Sequence, residues 1–210
     1  MKNVVIGENV QVDEGVILGY LTGRKIQVRD TVIGNNAVIR SNTIIYSNTT
    51  IGNGLETGHN VVIREENTIG NNLSIWNNST IDYGCRIGDN VRIHCNVYIP
   101  QYTVIEDDVF IAPGVVIGND LHPICTKCMK GPTIRKGARI GINATLLPHI
   151  EIGEYSLIGA GCVVTNDVPP KSVVYRTLVL TIKPIDESEC HFGIVDKPYL
   201  DGKDVRSRDI

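Results

Sequence analysis

From Ile33 the chain can be walked in steps of six. The steps land on Ile39, Ile45, Ile51, Thr57, Ile63, Ile69, Ile75, Ile81, Ile87, Ile93, Ile99, Ile105, Ile111 and Ile117, with Thr57 alone breaking the isoleucines. A helix returns an apolar residue about every 3.6 positions and a flat strand every two or so. A strict six is neither, and it marks short units stacked on one another. Ile6, Val12 and Leu18 already keep the beat. Leu18 to Ile33 is fifteen residues, read as two sixes plus a three-residue excess in the stretch Gly19–Ile26.

Other positions obey the same period. Two residues before each isoleucine the side chain is mostly small or β-branched, as at Ala37, Thr43, Val61, Ser79, Cys85 and Val109. Glycine often follows, as at Gly34, Gly52, Gly58, Gly70 and Gly88, with Asn or Asp next. Gly and Asn accept left-handed backbone angles, which a sharp corner needs. Each unit is then a short strand and a corner, and three corners close a coil of about eighteen residues. Aromatic residues are only 5% of the chain, so the interior must be aliphatic. Each fully buried isoleucine contributes roughly 1.5–3 kcal/mol. The pattern predicts an all-β chain, a parallel β-helix.

The beat fails from Asn119 to Pro132, NDLHPICTKCMKGP, and resumes at Ile134, Ile140, Leu146, Ile152, Ile158 and Val164. The gap predicts an external loop over 119–133. Function often sits on a loop leaving a rigid scaffold. Asp167-Val168-Pro169-Pro170 reads as the end of the coil, because proline supplies no ladder donor. Residues 173–183 read as one more extended segment, followed by a polar tail. The expected division is a β-helix over 1–176 and a C-terminal extension over 177–210.

Net charge is −3, which gives no basic field for nucleic acid. No apolar run has the length of a membrane helix and no leader opens the chain, so a soluble, cytoplasmic protein is expected. Six cysteines in 210 residues are too sparse for a disulfide scaffold. Cys85 and Cys162 fall on small interior positions and read as core filler. His122, Cys125 and Cys128 share the loop, one ligand short of a closed zinc site. A structural zinc, ligand-free cysteines and a redox-labile pair are the open readings.

Because about eighteen residues make a coil, Thr57, Ile75, Ile93 and Ile111 share one edge. The residues after them put His59, Asn77, Asn78, His94 and Asn96 in one vertical line. Asparagine is a good corner residue, which accounts for Asn77 and Asn78. It does not account for two of the five histidines in the chain.

The repeated [Ile/Leu/Val]-Gly-x-x-small-x pattern resembles the left-handed β-helix of hexapeptide-repeat acyltransferases. Residues 57–65, 96–120 and 130–170 are most similar to the nucleotide-sugar N-acetyltransferases within that family. The resemblance implies left-handed coiling, acetyl-CoA as co-substrate, a UDP- or dTDP-linked amino sugar as acceptor, and surface-glycan synthesis as the setting. It also implies homotrimers with active sites between subunits. Acetyl transfer to an amine needs a proton acceptor, a donor for the oxyanion, and orientation of both substrates. His94 or His59 can take the proton, directly or through water, and Asn96 matches an asparagine beside the acceptor. Departing CoA thiolate is the alternative proton acceptor. Asn78, Asp82, Tyr98, Asn119 and Asp120 are candidates for the acceptor. Gly141, Asn143, Ala144, Gly159 and Ala160 are candidates for the pantetheine arm, and Arg135, Lys136 and Lys171 for the CoA phosphates. Another small acceptor, or a non-catalytic β-helix scaffold, remains an alternative.

Overall fold

The computed structural model describes residues 4–121 and 127–175. They form a left-handed parallel β-helix with three faces. Strands are two to four residues long. Face A runs from Val4–Ile6 to Glu151–Ile152, face B from Gln11–Val12 to Val173–Val174, and face C from Ile17–Tyr20 to Val163–Val164. Among the described residues these faces hold eight, nine and eight strands. The chain visits A, B and C in turn, and where the coil is uninterrupted each rung pairs with the rung eighteen residues on, as Ile75 pairs with Ile93 and Ile93 with Ile111. Neighbouring strands lie about 4.8 Å apart, so each coil advances by that much.

The hexapeptide has a distinct reason for each position. The isoleucine and the residue two before it point inward: Ile75, Ile93 and Ile111 have 0% exposure, as do Ala37, Val61 and Cys85. The residue between them points out. Glycine after the isoleucine is needed for closeness: a Cβ on Gly58 would come within 2.2 Å of Asn77 Oδ1 and 2.6 Å of its backbone nitrogen. The left-handed conformation falls two residues later, at Asn60, Asn78 and Asn96 (φ 57–59°) and at Gly114 (φ 68°). The glycine–asparagine signature therefore combines a packing demand and a backbone demand. Thr57 stays in the core because its hydroxyl accepts the Arg40 N–H at 2.9 Å.

Three expectations change in detail. Ile6 pairs with Ile33, 27 residues on where a plain coil needs eighteen, so the first insertion carries nine extra residues. Leu18 to Ile33 is one step from face C to face A, and residues 21–30 leave the coil. The second insertion lies between Val116–Ile117 and Thr133–Ile134. The prolines at 169 and 170 do not end the helix: Val168 bridges to Ile152, Pro169 and Pro170 turn the corner, and Val173–Val174 adds a rung to face B. The β-helix unit is Met1–Arg176, and a second unit, Thr177–Ile210, lies outside the described residues. Among the described residues no helix is long and apolar enough to cross a membrane.

The outer surfaces differ. Face C presents Ile17, Ile44, Val62, Thr80, Tyr98, Val116, Thr145 and Val163 outward, with no charged residue. Face A carries Arg86 and Glu151 outward, and face B carries Glu56, Arg92 and Arg139.

Candidate functional site

Three edges join the faces, and the candidate residues separate cleanly among them. Edge BC stacks Gly58-His59-Asn60, Trp76-Asn77-Asn78, His94-Cys95-Asn96, Ala112-Pro113-Gly114, Gly141-Ile142-Asn143 and Gly159-Ala160-Gly161. Backbone bonds tie the column: Asn78 N–H donates to His59 O (3.0 Å), Asn96 N–H to Asn77 O (3.0 Å) and Gly114 N–H to Cys95 O (3.1 Å). His59, Asn78, His94 and Asn96 therefore do share one edge. Gly141, Asn143, Gly159 and Ala160 continue it above them.

Local contacts give these residues different freedom. His59 is exposed and its Nδ1 shares a hydrogen bond with Ser41 Oγ at 2.8 Å. His94 packs edge-on against Phe110, ring centroids 5.2 Å apart. The two histidines stand two rungs apart, about 10 Å at the usual strand spacing, so they do not form one pair. Asn42, Asn60 and Asn78 form an amide ladder (3.2 and 3.1 Å) that is not continued to Asn96. Below Asn96, Ser79 Oγ donates to His94 O (2.7 Å) and accepts Val97 N–H (3.1 Å), so the backbone on both sides of Asn96 is pinned.

The residues assigned to CoA do not lie together. Ala144 has 0% exposure and its side chain packs inside the coil, so only its neighbours face outward. Gly141 is small for a structural reason: a Cβ there would meet Ala160 N at 2.7 Å. Arg135, Lys136 and Lys171 are on edge AB. Arg135 pairs with Glu106 (2.7 Å) and Glu151 (2.6 Å), bonds that raise its own pKa and hold Glu151 below the usual carboxylate range. Lys136 lies 3.9 Å from Asp107 and 3.7 Å from Asp108. Four carboxylates thus surround two cations, and this chain supplies no unopposed positive charge at Arg135 and Lys136.

Edge CA carries the densest polar cluster. Glu65 is completely buried, with Arg64 bound to both its oxygens (3.2 and 3.0 Å), and Arg24 (3.2 Å) and Thr22 (2.8 Å) on Oε1. Burial alone would raise its pKa, but hydrogen bonds from its own backbone, Thr22, Arg64 and Arg24 outweigh that and lower it. Arg64 also reaches Asp82 Oδ1 at 2.9 Å. Asp82 Oδ2 accepts Tyr98 O–H (2.6 Å) and Gln101 Nε2 (2.7 Å). Burial first, then the bond to Asp82, pushes the Tyr98 phenol well up. Gln101 Oε1 in turn receives Asn119 Nδ2 at the loop root. Arg24, from the first insertion, lies 3.8 Å over the Tyr83 ring.

So Asp82, Tyr98 and Asn119 belong together, across face C from His94 and Asn96. Asp120 follows Asn119 at the root of the loop. Sequence reasoning missed Arg24, Arg64, Glu65 and Gln101. A signal was present: on this edge the residue after the inward one is Tyr46, Arg64, Asp82 and Pro100 where edge AB has mostly glycine. Of the loop metal candidates, His122 and Cys125 lie outside the described residues and Cys128 is exposed. Among the described residues no group of three His, Cys, Asp or Glu is placed to hold a metal.

Comparison with known proteins agrees with the coil. The family described as "Bacterial transferase hexapeptide (six repeats)" matches residues 30–65, 68–101, 84–119 and 131–166. The galactoside O-acetyltransferase of Escherichia coli K12 is 33% identical over 106 residues, 47% of this chain and 52% of that protein. The serine acetyltransferase of Haemophilus influenzae is 38% identical over 80 residues, 35% of this chain and 27% of that protein. This chain thus spans about half, or less, of the length of these relatives. Among solved structures, an Arabidopsis UDP-N-acetylglucosamine acyltransferase aligns over 82% of this chain and 67% of its own, at 17% identity and a TM-score of 0.41. With the family pattern matched over more than half of its length, the chain belongs to the bacterial hexapeptide transferases.

Proposed function

We infer that the protein is an acetyltransferase that moves acetyl from acetyl-CoA to the amine of a nucleotide-linked amino sugar, in surface-glycan synthesis. The observation that carries this is edge BC, where His94 and Asn96 stand below a column of small residues ending in Gly159-Ala160-Gly161. A pantetheine arm lying down that column brings its thioester toward His94. The His94 imidazole takes a proton from the acceptor amine as a general base, directly or through water. The amine nitrogen then bonds to the thioester carbonyl carbon. The Asn96 amide or a backbone N–H donates to the developing oxyanion. The C–S bond breaks, and the CoA thiolate leaves and is protonated. His59, two rungs below, binds a more distant part of the acceptor. Lys171, exposed on edge AB, is the remaining candidate for a CoA phosphate.

Within one chain the acceptor candidates Asn119 and Asp120 and the chemistry candidates His94 and Asn96 flank opposite sides of face C. The uncharged outer column of face C supports packing against further copies, with Val116 and Val163 (57% and 56%) as its most exposed apolar side chains. In a homotrimer built this way, the loop edge of one subunit faces the histidine edge of the next. The cytoplasm, where acetyl-CoA is available, is the expected compartment.

The test is CoA thiol release with acetyl-CoA and a panel of UDP- and dTDP-linked amino sugars, galactosides and serine. Release with the amino sugars is expected. Release only with galactosides or serine, the substrate types in the relatives' names, would reassign the acceptor to a hydroxyl. No release, and no thermal shift with acetyl-CoA, would favour a scaffold.

A further inference from the structure

An amide side chain has two unlike ends, and at edge CA the neighbours decide which end faces where. Asp82 is 5% exposed and accepts from Arg64 and the Tyr83 N–H on Oδ1, and from Tyr98 and Gln101 on Oδ2. A carboxylate only accepts, so Gln101 must turn its nitrogen toward Asp82. Its Oε1 then faces Asn119 and takes the Asn119 Nδ2 hydrogen. Asn119 is left with Oδ1, which has no hydrogen bond among the described residues. Arg64, held by buried Glu65, keeps Asp82 from turning away. Asn119 is itself anchored, because Lys130 N–H donates to its backbone oxygen at 2.7 Å and closes the loop root.

We propose that Asp82, Gln101 and Asn119 form a polarity relay that presents Asn119 Oδ1, at the mouth of the external loop, as a hydrogen-bond acceptor for an N–H or O–H group of the acceptor substrate. The proposal rests on the acetyltransferase reading and deepens it. Asn119 touches the substrate, and Asp82 and Gln101 are positioning residues. The relay selects a donor such as a sugar amine or hydroxyl, and disfavours a group that can only accept.

The experiment compares four variants of the full chain, D82N, Q101E, D82N/Q101E and N119A, with the best amino-sugar acceptor. Q101E sets two carboxylates face to face. D82N lets the order of donors and acceptors reverse. In the double variant the amide now at position 82 can donate to the carboxylate now at position 101. The other oxygen of that carboxylate again takes Asn119 Nδ2, so the original order returns. The loss of one such hydrogen bond corresponds to a few-fold to roughly tenfold change. Acceptor KM is expected to rise by about that factor in Q101E and N119A, with kcat and the KM for acetyl-CoA within about twofold, and to return in the double variant. Hydrogen exchange at the Lys130 amide is the second readout, faster in Q101E and slow again in the double variant. Unchanged acceptor KM in Q101E and N119A, or a double variant no better than Q101E, overturns the relay. If Q101E does not fold, Gln101→Met removes the amide without adding charge; its acceptor KM is expected to rise as in N119A, and an unchanged KM overturns the relay. If the wild type transfers acetyl to no acceptor, the functional reading fails, and the exchange measurement decides the relay alone: an unchanged Lys130 amide in Q101E would sink it.

Discussion

Edges BC and CA border the same face and are built from the same hexapeptide, yet they are opposites. On edge BC, His59 has one side-chain hydrogen-bond partner, Ser41, and His94 rests on the edge of Phe110. The asparagines beneath them mainly serve left-handed corners. On edge CA, Glu65, Arg64, Asp82, Tyr98 and Gln101 bond one another almost completely. A group meant to exchange a proton with a substrate must keep bonding capacity in hand. A group meant to hold a loop should have none left, because a half-satisfied buried network is costly. On the proposed function, the same scaffold thus keeps the proton-transfer edge loose and the acceptor edge rigid. Substitutions should therefore act on turnover at one edge and on stability at the other.

The largest expected effect is on edge BC. His94→Ala should lower kcat by roughly 10²–10⁴-fold, the usual contribution of general base catalysis, while the thermal midpoint and oligomer size stay put. A kcat within about threefold of wild type would move the proton to the CoA thiolate and leave His94 a binding role. On edge CA, Glu65→Ala should cost about 2–4 kcal/mol in denaturant unfolding. It strands Arg64 and Arg24, and their partial exposure keeps the figure at the lower end of buried-pair losses. A loss under about 0.5 kcal/mol would show that the network does not stiffen this edge.

Acid should separate the edges as well. The folded pKa of Glu65 lies below its unfolded value, so its stabilisation is complete above about pH 4.3 and disappears as pH falls through the folded pKa. Melting from pH 7 to 3 should show a steeper acid loss in wild type than in Glu65→Gln, and parallel curves would contradict the assignment. The smallest effect returns to edge BC. Asn60→Ala, which removes one exposed rung of the amide ladder and an easy left-handed residue, should cost about 1–2 kcal/mol at most. At both edges the core behind should be silent toward reagents. Burial pushes the Cys85 thiol up to about 12, so alkylation of the native protein at pH 8 should spare Cys85 and label the half-exposed Cys95.

The two edges were not equally legible in the sequence. Edge BC could be read because its residues sit at a fixed phase of an uninterrupted ladder: once Ile75, Ile93 and Ile111 are stacked, His94 and Asn96 follow by counting. Counting failed where the coil is interrupted. The step from Leu18 to Ile33 hides nine extra residues, and Arg24, which those residues carry, meets Glu65 from 41 positions away. Nothing local in Thr22-Gly23-Arg24 announces that partner. The CoA candidates were less legible for another reason. Small residues read as room for a ligand, whereas Gly141 is small because the next rung rests on it. Arg135 reads in sequence as an anion site, whereas Glu106 and Glu151 already occupy it in the fold.

The central claim is that the two edges cooperate across a subunit boundary, and subunit mixing tests it most directly. His94→Ala and a variant with residues 119–131 replaced by a short Gly-Ser turn should each be inactive alone. If His94 of one subunit works with the loop of the next, unfolding and refolding the two together in equal amounts makes a functional site whenever a loop-deleted chain stands beside a His94→Ala chain in the right order. By random assembly that is about a quarter of all sites. Recovery of about a quarter of wild-type thiol release is the predicted result. No recovery, in mixtures shown to have exchanged subunits, would place the whole site within one chain and contradict the account.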